Sequence, residues 1–136
     1  MSHPLVIEHE AVYPHSPERV WRALVDPAEL AAWLMPNDFV AEIGHEFSLE
    51  TGTAEVGTIK AEVLELDEPR LLRCRWSGGF GDTEVTFELF PEAEGTRLRV
   101  RHDGWGDPPA PERGGFDDGW KQKLDEDIPR VLGPVN

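Results

Sequence analysis

Few side chains in this sequence are both chemically competent and positioned by pattern, and His102 is the first of them. In Leu98-Arg99-Val100-Arg101-His102 apolar and basic residues alternate, so a strand here puts His102 on the same face as Leu98 and Val100. An imidazole on that inward face, under the last helix, could orient a ligand's carbonyl or phenol or act as a general base. The simpler role is structural, a strand-end histidine hydrogen-bonded to the following loop, because the sequence shows no catalytic partner for it. Cys74 has the same inward parity, between Leu72 and Trp76. A nucleophilic thiol needs a nearby base or cation to lower its pKa, and no such neighbour is imposed, so Cys74 reads as a small buried hydrophobe. His9 stands between Glu8 and Glu10, His45 precedes Glu46, and His102 precedes Asp103. Adjacent residues of a strand point to opposite faces and no pair has ligand spacing, so neither a metal nor another cofactor is expected.

Whole classes of function are disfavoured by what the sequence lacks. Signatures for phosphate loops, zinc proteases, dinucleotide binding and the nucleophile elbow are missing, which argues against the common nucleotide-dependent and hydrolytic enzymes. Thirteen basic against 27 acidic residues leave a net charge of −14 in 136 residues. That field repels nucleic-acid backbones and anionic membrane surfaces. The longest apolar run, from Leu30 to Met35, is six residues, far short of the roughly 20 that cross a bilayer. Met1-Ser2-His3-Pro4 has neither the basic nor the apolar region of a cleaved signal, and a lone cysteine forms no internal disulfide; a cytoplasmic location is the expectation. The run Asp125-Glu126-Asp127 reads as a solvated helix face.

The elements that must position these residues follow from periodicity. Residues 5–13 suit a strand. Ser16-Pro17 then offers an N-cap followed by proline at the first helical position, with Val20, Trp21 and Leu24 at helical spacing and an end near Val25. Asp26-Pro27-Ala28-Glu29 repeats the signal as a capping box, with Leu30, Trp33 and Leu34 as the apolar stripe and Pro36 as the stop. From 39 to 103 the period is two, broken by turns at Gly44, Gly52, 67–69, 77–82 and 92–95, which predicts about six further strands. Between the inward residues stand Arg73 and Arg75, then Glu84, Thr86 and Glu88, then Arg97, Arg99 and Arg101. These rows predict adjacent antiparallel strands with Glu88 opposite Arg99 and Phe87 opposite Val100. A loop-rich stretch at 104–115 leads to a final helix over 117–132. There Trp120, Leu124, Ile128 and Leu132 form one stripe, Asp117 and Asp118 suit the N-terminal end, and Pro129 predicts a kink or early end. The chain reads as one α+β unit over residues 1–136.

Specific residues carry a family resemblance. Pro14-His15-Ser16-Pro17-Glu18-Arg19-Val20-Trp21 with Leu24 and Trp33, Pro69-Arg70-Leu71 followed by Trp76, Thr96 to His102 running into Gly104-Trp105, and Gly119-Trp120 resemble the START/Bet v 1-like (SRPBCC) superfamily. The branch is that of the activator of the heat-shock-protein-90 ATPase. The resemblance implies a helix-grip fold, a curved antiparallel sheet of about seven strands around a long C-terminal helix with an apolar cavity between them. It does not imply one activity, since the superfamily holds lipid and polyketide carriers, cyclases and aromatases, and co-chaperone domains. Trp33, Phe47, Trp76, Phe87, His102, Trp120 and Leu124 are the expected ligand-binding residues, although the same rings could simply fill the core. A small apolar or aromatic ligand is the expected partner. A protein partner of co-chaperone kind is the alternative, as is a cyclase-like activity, for which no catalytic set is assigned. The sequence shows no counterpart of the extra N-terminal domain of the eukaryotic activator, so a full activator role is not expected. It leaves the oligomeric state open.

Overall fold

The structure, a computed structural model, describes residues 6–52, 57–78, 81–105 and 113–133. Six strands are described: β1 (Ile7–Tyr13), β2 (Glu46–Glu50), β3 (Thr58–Asp67), β4 (Leu71–Gly78), β5 (Gly81–Glu92) and β6 (Gly95–Asp103). They form one curved antiparallel sheet in the order β1-β6-β5-β4-β3-β2. Between β1 and β2 come α1 (Pro17–Val25) and α2 (Pro27–Trp33). After β6 comes the C-terminal helix, built from α3 (Arg113–Gln122), a π-helical turn (Lys123–Asp127) and α4 (Ile128–Leu132). The α+β helix-grip architecture implied by the resemblance is thus present.

The register follows the charge rows. Glu88 lies opposite Arg99 and Phe87 opposite Val100. On the outer face Arg99 pairs with Glu88 at 2.7 Å, Arg73 with Glu84 at 2.7 Å and Glu65 at 3.1 Å, and Arg75 with Glu62 at 2.5 Å. A shift of one residue would turn these arginines into the core, which is why the pairing is so strongly specified. The inward residues Trp76, Phe87 and Val100 are buried, as are Trp120, Leu124, Ile128 and Leu132 of the covering helix.

Where the chain departs from expectation, local hydrogen bonding gives the reason. Residues 39–43 form no strand, so the described sheet has six strands rather than about seven. Asn37 accepts from the N–H of Phe39 and donates to the Met35 carbonyl, turning the chain, and Asn37 makes only an isolated bridge with Leu49. The preceding residues 36–38 close the free edge of β2, since the N–H of Ser48 donates to Asp38 and that of Glu50 to the Pro36 carbonyl. Such covering is how exposed strand edges are kept from pairing further. The second helix has only half of its capping box. Asp26 accepts from the N–H of Glu29, but the Glu29 carboxylate turns to Arg19 and Arg22, because the N–H of Asp26 already donates to the Arg22 carbonyl. At the β5–β6 turn Gly95 is required, since a Cβ there would meet the Tyr13 carbonyl oxygen at 1.9 Å.

The C-terminal helix begins earlier than its sequence suggests and ends at Leu132, as expected. It starts at Arg113, so Asp117 lies in its second turn and pairs with His9 of β1 at 2.7 Å instead of serving the N-terminal end. Nor does Pro129 end it. Proline lacks an N–H, which would orphan the carbonyl four residues back in an α-helix. In the π register, seen in the Ile128 N–H donating to the Lys123 carbonyl, the acceptor without a partner is five back, Leu124. Its carbonyl accepts from the Tyr13 hydroxyl at 2.6 Å. The widened turn also keeps an apolar stripe with a spacing of four on one side, where the 3.6-residue α-turn would let it drift.

Candidate functional site

Under the N-terminal half of the C-terminal helix, rings from five elements and a loop converge. Trp33 ends α2, Trp76 lies on β4, Phe87 on β5 and His102 on β6; Trp105 follows β6, and α3 brings Phe116 and Trp120. Alternation along β4, β5 and β6 and the one-turn spacing of Phe116 and Trp120 turn these rings to one interior. Ring centroids are 5.5 Å apart for Trp76 and Trp120, 5.7 Å for Phe87 and Trp120, and 6.1 Å for Trp33 and Phe87. Edge-to-face and tilted arrangements dominate, as the quadrupoles of such rings favour. Phe116 is the half-buried member; its ring lies 5.2 Å from His102 and 5.4 Å from Trp105.

His102 is wired into this cluster in one direction only. The Trp120 indole N–H, which can only donate, gives to His102 Nδ1 at 3.1 Å. Nδ1 is therefore unprotonated, and the ring proton sits on Nε2, 2.7 Å from Thr83 Oγ1. The Thr83 hydroxyl donates in turn to the Trp76 carbonyl at 3.0 Å. The ring has 0% exposure, and burial pulls its pKa from 6.5 down to about 3. A histidine so placed is neutral, with neither nitrogen turned to a ligand, and it fixes the rotamers of the rings around it. That geometry speaks for the structural role weighed above and gives a general base no lone pair to use.

The other sequence candidates are distributed around this centre. Phe47 lies apart, with Phe39 at 5.0 Å and His45 at 6.3 Å as ring neighbours. Leu124 is buried in the π turn beyond Trp120. Cys74 is buried as well, its thiol pushed up to about 12 by desolvation alone, which leaves it protonated and unreactive. Among the described residues no group of three or more His, Cys, Asp or Glu is arranged to hold a metal. No helix among them is long and apolar enough to cross a membrane.

Trp105, Phe116 and Thr83 belong to the cluster but were not among the expected site residues. Trp105 lies in the loop-rich stretch and Phe116 directly follows it, where no period assigns a face. Thr83 stands at a strand start, and only the register of β5 against β6 shows that it reaches His102. A separate cleft of about 300 Å³ opens on the outer face of β2 to β4, lined by Asp38, Glu46, Ser48, Lys60, Arg75 and Ser77 among others.

Comparison with known proteins places this geometry. The family model described as "Activator of Hsp90 ATPase homolog 1-like protein" matches residues 14–133. Protein MLL2253 from Mesorhizobium loti is 31% identical, with 93% of this chain and 96% of that one covered at a TM-score of 0.85. Protein BH1534 from Bacillus halodurans is 28% identical, covering 94% and 96% at a TM-score of 0.79. The Aha1 dimer from Colwellia psychrerythraea shares the fold, at 18% identity, 93% and 96% coverage and a TM-score of 0.78. No curated protein matches the chain.

Proposed function

Because the chain belongs to the family of Activator of Hsp90 ATPase homolog 1-like proteins, we propose that it is a binding domain. Its ligand is a small, flat, predominantly apolar molecule taken up against the rings beneath the C-terminal helix. The observation that supports this reading is the concentration of Trp33, Trp76, Phe87, Trp105, Phe116 and Trp120 around one histidine, with a half-buried ring at the rim. In the conformation described the rings pack against one another, so a ligand enters by parting them and replaces ring–ring contacts with its own. The nitrogens of His102 and the Thr83 hydroxyl are committed within the protein, which selects against ligands that need hydrogen bonds there. Covering about 200 Å² of apolar ligand surface supplies a gross term of about 5 kcal/mol. Each aromatic contact adds about 0.5–1.5 kcal/mol. After the costs of association, an affinity in the micromolar range is expected. An acid–base activity would require two convergent ionisable groups; among the described rings of this cluster His102 is the one that ionises.

The test is titration with N-phenyl-1-naphthylamine, flavone and palmitate, following indole fluorescence, with the bound probe located by NOEs to its protons. Saturable quenching with NOEs to the Trp76 and Trp120 indoles supports the reading. Absence of saturable binding by all three, or NOEs confined to the outer-face cleft, overturns it.

A protein partner is a second reading, supported by one feature. Val40 and Ile43 are 47% and 63% exposed, on the stretch that leads into the outer-face cleft. With a net charge of −14, such a partner would be basic and its association weakened by salt. Unchanged Hsp90 ATPase rates, together with no protein enriched in a pull-down that is depleted by Val40→Asp, would remove this reading.

A further inference from the structure

The glycine content of α3 is out of keeping with its place over the ring cluster. Three of its ten residues are glycines, Gly114, Gly115 and Gly119. None of them has a positive φ, and a Cβ built on any of the three meets nothing within 4 Å among the described residues. Alanine would therefore fit at all three positions, and glycine inside a helix is destabilising relative to alanine. Neither the backbone nor the packing against the described residues asks for these glycines, and they weaken the stretch of helix that covers the rings. Among the described residues, the side chains that hold the stretch down are Asp117, paired with His9 at 2.7 Å, and the half-buried ring of Phe116. The next residue along, Trp120, is anchored by its indole bond to His102, and beyond it Tyr13 holds the Leu124 carbonyl while His15 meets the Gly133 carbonyl at 3.0 Å.

We propose that residues 114–119 form a gate: this stretch opens about Trp120 as a pivot, breaks the His9–Asp117 latch and lifts Phe116 off His102, Trp105 and Trp76. The rest of the C-terminal helix stays in place. The gate rests on the binding site proposed above and gives it an entrance, whereas its opening is a property of the free protein and is measured without any ligand. Glycine content sets how often the gate opens, and the latch sets how firmly it closes.

Amide hydrogen exchange of the free protein reads the opening directly. Amides of 116–122 exchange faster than those of α4 and of β4 to β6 in the wild type. Gly119→Ala slows them about fivefold, the helix-propensity difference expressed as an equilibrium constant, and Gly114→Ala/Gly115→Ala/Gly119→Ala slows them at least tenfold. His9→Gln acts oppositely and speeds them several-fold, while the β4 to β6 amides are unmoved. Stopped-flow mixing with N-phenyl-1-naphthylamine then gives association and dissociation that are both slowed in the triple variant, with Kd within about twofold. Exchange of 116–122 at the rate of α4, or protection in the triple variant without slower probe kinetics, overturns the gate. Opening that responds to the variants in a protein that binds no probe leaves the moving segment established and removes the binding reading instead.

Discussion

At the scale of single residues, His102 and Tyr13 show how a buried polar group is kept quiet. His102 is neutral when folded and gains its proton on unfolding, because burial depresses its pKa from 6.5 to about 3. The unfolded chain thus binds more protons between those values. The contribution of His102 is fully present above pH 6.5 and declines as the pH falls towards 3. Denaturant titrations at pH 6.5 and pH 5 are expected to show a loss of about 2 kcal/mol from this one residue, and His102→Gln is expected to lose correspondingly less over that interval. If both proteins weaken in parallel, another group is responsible. Tyr13→Phe leaves the buried Leu124 carbonyl without its donor and should lower the unfolding free energy by about 1–3 kcal/mol at neutral pH. Of these arrangements only the inward parity of His102 was legible in the sequence. Its partners Thr83 and Trp120 lie 19 and 18 positions away, and Tyr13 lies 111 from Leu124, distances over which no local pattern carries information.

Among the elements, the C-terminal helix is the most instructive, because its sequence contains a conflict that the backbone resolves. A stripe with a spacing of four and an internal proline cannot both be satisfied by a straight α-helix. The π turn accommodates the two together and passes the resulting orphan carbonyl to Tyr13. The shared carbonyl links distant positions energetically. Pro129→Ala restores an N–H, so Leu124 no longer depends on Tyr13, and the cost of Tyr13→Phe should shrink by about 1 kcal/mol in that background. A double-mutant cycle by chemical denaturation measures the coupling, and additivity within about 0.3 kcal/mol would show the account to be wrong. The proline was a readable signal of irregularity, and the stripe marked the buried face; the form of the irregularity depended on which neighbour could donate. The two short helices were legible almost to the residue, since Ser16, Asp26 and the prolines that follow them act locally. Residues 39–43 were not, because apolar residues in an irregular connection, with Phe39 buried and Val40 exposed, imitate alternation.

For the molecule as a whole, the outer sheet face and the net charge of −14 act in opposite senses. The cross-strand pairs specify register but contribute little each in water, whereas the excess of carboxylates repels itself throughout the fold. Added salt screens both, and the repulsion is the larger loss. The melting temperature is therefore expected to rise by a few degrees between 10 and 200 mM NaCl, about 3 °C for each kcal/mol recovered. A fall over that range in a calorimetric scan would mean that the ion pairs dominate. The general plan was legible because charge rows and apolar rows alternate in phase along β4, β5 and β6, which leaves one way to stack them. The ring cluster was legible only in its strand and helix members, and its rim was not. That cluster has an optical consequence. Trp76 and Trp120 face one another at 5.5 Å with planes inclined by 34°, close enough for their electronic transitions to couple into a chiral pair. The native protein should carry a circular dichroism couplet from these two chromophores, a built-in signal of tertiary order that reports on the interior without any attached dye.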